Sequence, residues 1–346
     1  MTFNIHVQIL SSNLEELAKW YTNGINRDEY TLVESPDSAD VVIRFSDPLD
    51  LTVYETCPVM LYVSCPLGHL DSLRFEKQWG IEDFKYLREN MKIVPFGSSA
   101  YHNACLENVK VIYPKVVSEN ISRVSKTFYH FIHSDSVAMG LGPHERPAMI
   151  PRDNDNLGSV LQAFCSLCML DDGVKLIISS DSDDLEKYIS KVVKGLIKKD
   201  FITKAMWKHF ASKYLLLTSP SEDSHSDILR EHASYLITPN LGTDLSSEIL
   251  FAFQMGVPVL LPESPISKAY VEVYGSHVVQ MIPSMGVKNV TTNEPYILVE
   301  NWSFINFLLK VLMSERQVKK NIVPLPDVYD INNYLYYVCK MCRLHT

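Results

Sequence analysis

Short apolar runs alternate along this chain with stretches that are apolar at helical spacing, and the alternation predicts strands and helices in turn. Residues 3–10 (FNIHVQIL) read as a first strand. Ser11-Ser12-Asn13 then leads into a helix over 14–21, with Glu15 and Glu16 placed after Ser12 as in a capping box. Residues 39–45 (ADVVIRF) and 59–64 (VMLYVS) predict two further buried strands. A helix over 83–91, a strand over 91–95 running into the serine loop 96–99, a short helix over 101–106 and a strand over 109–114 complete this series. Residues 117–126 are polar, without a strong period, and read as a hinge.

A second series follows. It predicts a strand over 127–133, a long irregular loop over 134–156, an apolar helix over 157–170 and a strand over 174–180. The amphipathic helix 184–199 carries lysines that read as a solvated face. A strand over 213–218 and a short helix over 227–233 lead into 235–263, the most informative stretch of the chain. There a strand over 235–238 gives way to a polar loop and then to a helix over 245–255. Thr243-Asp244 caps that helix, Ser246, Ser247 and Glu248 form its first turn, and Gly256 ends it. An almost wholly apolar strand over 257–261 follows at once, as suits a parallel strand buried on both faces. In open α/β sheets ligands bind beyond the carboxyl ends of the strands, where helix N-termini attract phosphate. The loop 239–248, with Gly242, Thr243, Asp244, Ser246 and Ser247, is therefore the candidate site for an anionic group. Beyond it lie a loop and helix over 264–274, a strand over 277–282, a helix within 295–314 and an aromatic-rich helix over 329–343.

Composition narrows the class. The 346 residues suffice for two α/β domains with separate cores, here 1–117 and 127–325, with 326–346 as a terminal helix. Hydrophobic residues at 46% and charged residues at 21% describe a globular chain, and a net charge of −9 argues against a general nucleic-acid surface. No apolar run reaches the ~18 residues of a membrane span, and no secretory signal opens the chain, so a cytoplasmic protein is expected. The pairs Cys165/Cys168 and Cys339/Cys342 are either one shared zinc site or small hydrophobes on helix faces. Without turn residues between the cysteines the second reading is preferred, and no metal is expected. Glycine is scarce, 13 residues, so few positions suit a close backbone approach to phosphate.

The order strand, loop, helix, Gly256-Val-Pro-Val259 resembles the donor-binding segment of GT-B glycosyltransferases, above all the "group 1" family. The likeness spans some 130 residues of the second series and takes in 174–180 (VKLIISS); separately, the strand at 109–114 resembles the family's close of the N-terminal domain. It implies two Rossmann-like domains facing a cleft, with the nucleotide-sugar donor on the C-terminal domain, a carbohydrate or glycoconjugate acceptor on the N-terminal one, and the last helix crossing back to the N-terminal domain. It implies transfer without metal or other cofactor, with retention at the anomeric carbon. Arg152 is then the counterpart of the arginine that holds the donor diphosphate and Arg146 a second candidate, either being otherwise a solvated loop charge. His69 matches a histidine facing the reacting sugar, or is a loop histidine without special role. The family's two donor-facing glutamates, eight positions apart, correspond to Thr243 and Phe251; Glu248, one turn before the second, is the nearby carboxylate. Asp153 or Asp155 stands where the family has a phosphate-binding lysine. These departures leave open a non-catalytic binding or assembly subunit of the same fold, and a nucleotide-sugar epimerase is a third reading.

Overall fold

Each series of apolar runs builds its own parallel sheet in the protein, a computed structural model that describes residues 2–46, 50–63, 86–87, 89–97, 109–116, 125–132, 137, 141, 156–218, 224–239, 246–288, 295–298, 301–313 and 327–345. Two compact units result: Met1–Val116 with Asp244–Ser247 and Val323–Thr346, and Val117–Thr243 with Glu248–Ile322.

In the first unit β1 (Phe3–Ile9), β2 (Tyr30–Leu32), β3 (Val41–Phe45), β4 (Val59–Tyr62), β5 (Ile93–Gly97) and β6 (Lys110–Val111) pair in the order β2-β1-β3-β4-β5-β6, all parallel. Every residue of β3, β4 and β5 is buried, which explains their unalternating apolar sequences. Tyr21, on α1 (Glu15–Asn23), meets Phe45, Tyr62 and Phe96 at centroid distances of 6.0, 5.6 and 5.6 Å, and its hydroxyl donates to the Ile112 carbonyl at 3.0 Å. Arg44 is only 1% exposed on β3. Its guanidinium donates to Gln8 Oε1 at 2.7 Å and to the carbonyls of Asp50 and Thr52 at 2.9 and 2.5 Å, so the charge is bonded where it is buried. Burial pushes the Asp50 carboxyl up, but hydrogen bonds from Thr52 and the Arg44 charge outweigh it, leaving Asp50 below the usual carboxylate range.

The terminal helix belongs to this unit. It buries Ile331, Leu335, Val338 and Cys339. Asn332 Oδ1 accepts from the Asn26 amide at 2.8 Å, and its Nδ2 donates to the Gly24 carbonyl at 2.8 Å.

The second unit contains β7 (Lys126–Ile132), α2 (Leu157–Leu167), β8 (Val174–Ser180), α3 (Leu185–Lys198), α4 (Lys204–Lys213), β9 (Leu215–Thr218), α5 (His225–Glu231), β10 (Tyr235–Ile237), α6 (Ser247–Gln254) from Glu248 onward, β11 (Val259–Pro262), α7 (Pro265–Tyr274) and β12 (Val279–Ile282). Its parallel sheet runs β12-β11-β10-β7-β8-β9. An antiparallel hairpin, β13 (Met285–Lys288) with β14 (Pro295–Leu298), and α8 (Asn301–Met313) complete it; the terminal helix of the first unit is α9 (Ile331–His345). Phe128 anchors the core, edge-on to Phe164 at 5.2 Å and stacked on Tyr235 at 4.7 Å. Cys165 and Cys168 lie in this core, and burial raises the Cys165 thiol to about 12, so it stays protonated.

Several boundaries differ from the sequence reading, for physical reasons. β5 continues to Gly97 because Phe96 joins the aromatic cluster. β6 pairs over two residues only. The helix α4 is additional, its start held by the Thr203 hydroxyl accepting from the Met206 amide at 3.1 Å. β2 and the hairpin are also additional, and the helix expected within 295–314 is preceded by β14. The helix expected at 101–106 lies outside the described residues, as do 83–85 and 88 of that at 83–91, of which 86, 87 and 89 are helical. α6 ends as Gly256 implied: Gly256 has φ 66°, its amide donates to the Phe253 carbonyl and that of Val257 to the Ala252 carbonyl, a Schellman closure.

Truncation of Leu335 to alanine, in the buried face of α9, is expected to lower the unfolding free energy of the first unit by about 2–5 kcal/mol in urea denaturation. Since Asp50 is depressed in the folded state, its contribution is whole above the unfolded value of about 3.9 and disappears as pH falls through the lower folded value. Melting curves from pH 7 down to about 2 should therefore show an acid-induced loss that is weaker in Asp50→Asn.

Candidate functional site

Strand order in the second unit reverses between β7 and β10. From β7 the chain proceeds through β8 to β9 on one side, and from β10 through β11 to β12 on the other. At such a switch point the connections leave the sheet in opposite directions, and a crevice opens beyond the carboxyl ends of the two central strands. Here those ends are His130–Ile132 of β7 and Ile237 of β10, followed by Thr238 and Pro239.

Polar side chains collect at this end, on both faces of the sheet. His130, fully buried, donates from Nδ1 to the Ile237 carbonyl at 2.9 Å, which sets that nitrogen as the protonated one. Asn156 precedes α2 in the left-handed region, φ 49°. Its amide donates to the Pro239 carbonyl instead of capping α2, so the entry to that helix is tied across the switch point to the exit of β10. The Thr238 hydroxyl is buried and has no hydrogen-bond partner among the described residues. On the opposite face to His130, Tyr129 places its hydroxyl 2.5 Å from Nδ1 of His225, the first residue of α5. Burial above all, with the Glu248 charge adding to it, pushes the Tyr129 phenol far upward, so it remains neutral.

Two helix starts at this end differ in how they are closed. Ser264 and Ser267 form a reciprocal capping box at α7, and the Ser267 hydroxyl donates to the Pro262 carbonyl at 2.8 Å. At α6, Ser246 and Ser247 are half-buried and stand at the start of the helix. Glu248, in its first turn, is 3% exposed and turned toward the Tyr129 side of the sheet, where a carboxylate also suits the positive end of the helix.

Of the residues selected from sequence, Ser246, Ser247 and Glu248 are thus placed at one helix start. His69, Arg146, Arg152, Gly242, Thr243 and Asp244 lie outside the described residues. Sequence reading missed His130, Asn156, Thr238, Tyr129, Ser179 and His225. The one local signal was His130, a polar residue inside the apolar run of β7. Among the described residues no group of three or more histidine, cysteine or acidic side chains is spaced to hold a metal ion, and no helix is long and apolar enough to cross a membrane.

No protein-family model and no curated protein sequence matches this chain. Solved structures match it at the level of the fold. Alr3699/HepE from Anabaena, in complex with UDP and glucose, aligns over 99% of both chains with a TM-score of 0.53 at 10% identity. A putative UDP-N-acetylglucosamine 2-epimerase from Listeria monocytogenes covers 100% of this chain and 98% of its own, with a TM-score of 0.49 and 10% identity. A TarM variant from S. aureus, in complex with fondaparinux, α-GlcNAc-glycerol and UDP, aligns over 88% of this chain with a TM-score of 0.47 and 10% identity; the present chain spans 54% of its length. The fold is accordingly α/β of the GT-B type, with two doubly wound parallel sheets.

Asn156→Ala should cost about 1–3 kcal/mol, because it leaves the Pro239 carbonyl without its donor and forces a Cβ-bearing residue without a local hydrogen bond into left-handed backbone. Asn156→Gly restores the backbone freedom and is expected to lose less in the same urea titration.

Proposed function

We propose that the chain is a glycosyltransferase that takes a nucleotide-sugar at the β7/β10 switch point and passes the sugar to a carbohydrate or glycoconjugate acceptor. The observation carrying this reading is the switch point itself: a Rossmann-order sheet whose central carboxyl ends hold an orphaned Thr238 hydroxyl, the Asn156–Pro239 tie and the start of α6. UDP in the HepE complex, on a protein aligned end to end with this one, supports the choice of ligand class.

In the proposed reaction the acceptor hydroxyl oxygen bonds to the anomeric carbon as the bond from that carbon to the diphosphate oxygen breaks. Negative charge grows on the leaving diphosphate, so groups that neutralise it accelerate the step. The positive end of α6 at Ser246 and Ser247 supplies one such group in this proposal, and Arg152 or Arg146 the other, by bidentate contact. These groups take the place of a metal. His69 is proposed to hold a sugar hydroxyl or take its proton, roles that an imidazole can fill. Retention at the anomeric carbon follows from the family resemblance alone.

A second reading, a subunit that binds or assembles without transfer, is favoured by Phe251. This residue lies on α6 where the resembled family carries a donor-facing glutamate. Its phenyl ring cannot accept the hydrogen bonds that a carboxylate takes from sugar hydroxyls.

Calorimetric titration with UDP-, GDP- and ADP-sugars distinguishes these readings from a different ligand class. One nucleotide is expected to bind, and Arg152→Ala or Arg146→Ala to weaken it by about tenfold or more. Failure of every nucleotide to bind at about millimolar concentration contradicts both readings. Binding without sugar transfer to any acceptor in a mixed glycan panel selects the second. Conversion of the donor with no acceptor present selects an epimerase.

A further inference from the structure

Outside the crevice, the charge of the chain is unevenly distributed. The segment 185–213, which contains α3, the following turn and α4, holds eight lysines against Glu186 and Asp200, six net positive charges. The whole chain carries −9, so everything outside this segment carries −15. The segment contains no arginine.

The lysines of α3 are arranged in one line. Lys187, Lys191, Lys194 and Lys198 follow one another at intervals of four, three and four, which at about 100° per residue confines them to an arc of roughly 60°. The opposite side of the helix is the buried one, formed by Leu185, Tyr188, Ile189, Val193 and Leu196. The stripe therefore points directly away from the core. Helix-dipole compensation accounts for Lys198 in the last turn but not for the lysines before it. Acidic residues gather at the amino end: Asp181, Asp183 and Asp184 precede the helix, Asp184 pairing with Lys187 at 3.5 Å, and Glu186 lies on the flank, whereas beyond them only Asp200 follows Lys199, so the surplus of positive charge is concentrated over Lys194, Lys198 and Lys199.

The stripe ends at an exposed aromatic ring. Asp200 takes φ 58°, and the amides of Asp200 and Phe201 donate to the carbonyls of Ile197 and Leu196 at 3.1 and 3.0 Å, closing α3 with a Schellman turn. In such turns the apolar residue after the left-handed position ordinarily covers the last turn of the helix. Phe201 instead stands 52% exposed, beside Lys198 and Lys199 and three residues before Lys204.

We infer that the outward face of α3 and the turn carrying Phe201 dock on an anionic lipid bilayer. Ammonium groups on long stems suit mobile headgroups, because they attract by charge without needing a fixed partner geometry. Their methylenes can lie along the interface while a single phenyl ring enters it. Phosphopeptide sites draw on the bidentate planar fork of arginine, which this segment lacks, and a net charge of −9 over the chain opposes a general polynucleotide surface. The attachment is peripheral and leaves the β7/β10 crevice to its own ligand.

Vesicle sedimentation of the full chain tests this. The probes are phosphatidylcholine vesicles, alone and with about one third phosphatidylglycerol, at about 0.1 M salt and again at about 0.5 M. Sedimentation with the anionic vesicles only is expected. The triple variant Lys194→Gln, Lys198→Gln, Lys199→Gln should lower partitioning by roughly fivefold per charge, about a hundredfold in all. Phe201→Ser should lower it by roughly tenfold and account for most of the binding left at high salt. All four positions are solvent-exposed, so melting temperatures should stay at the wild-type value. Three results overturn the inference: no sedimentation with anionic vesicles, equal sedimentation with neutral ones, or a triple variant that binds as wild type. Retention of the chain on a polynucleotide with no vesicle binding overturns it equally.

Discussion

The pairing of β7 with β10 is held from end to end by contacts that the rest of the second unit cannot replace. At the amino end the hydroxyls of Ser125 and Ser234 meet at 2.5 Å. In the middle Phe128 stacks on Tyr235, and at the carboxyl end His130 bonds the Ile237 carbonyl. Beyond the strands Asn156 reaches the Pro239 carbonyl. Because connections between parallel strands are right-handed, the chain leaving β7 and the chain leaving β10 cover opposite faces of the sheet. In open α/β sheets a crevice forms at such a switch point, and here His130, Thr238 and Asn156 bring polar groups to it.

The character of that crevice is set by what each element spends its polar groups on. α7 closes its own start through Ser264 and Ser267. Asn156 gives its side chain to Pro239 and leaves α2 without a side-chain cap. Glu248 turns inward beside neutral Tyr129, a placement that anchors α6 to the sheet. With Glu248 so enclosed, Ser246 and Ser247 are the half-buried polar side chains that stand at the start of α6.

Much of the fold was legible because its signals are local. The run from Tyr235 to Pro262 carries a strand, a polar loop, a helix and a glycine stop within 28 residues, and the left-handed Gly256 appears where the sequence required it. α4 escaped notice because its apolar positions, Met206, Trp207 and Phe210, are few and set among lysines. β2 is three residues long, with Tyr30 its one buried side chain. The candidate site was legible only where a helix start announces itself, at Ser246, Ser247 and Glu248. Tyr129 and His225 are 96 positions apart, and His130 and Ile237 are 107 apart. Only the register of the folded sheet brings such pairs together, and in the sequence Tyr129 and His130 read simply as members of a buried strand.

Amide hydrogen exchange of the full chain, with and without a saturating nucleotide-sugar, tests the central claim most directly. Protection is expected at the start of α2, residues 157–160, and at the start of α6, residues 247–250, with β1 and α1 unchanged. Protection confined to β1 and α1, or no protection at either helix start while the nucleotide is bound, would contradict it.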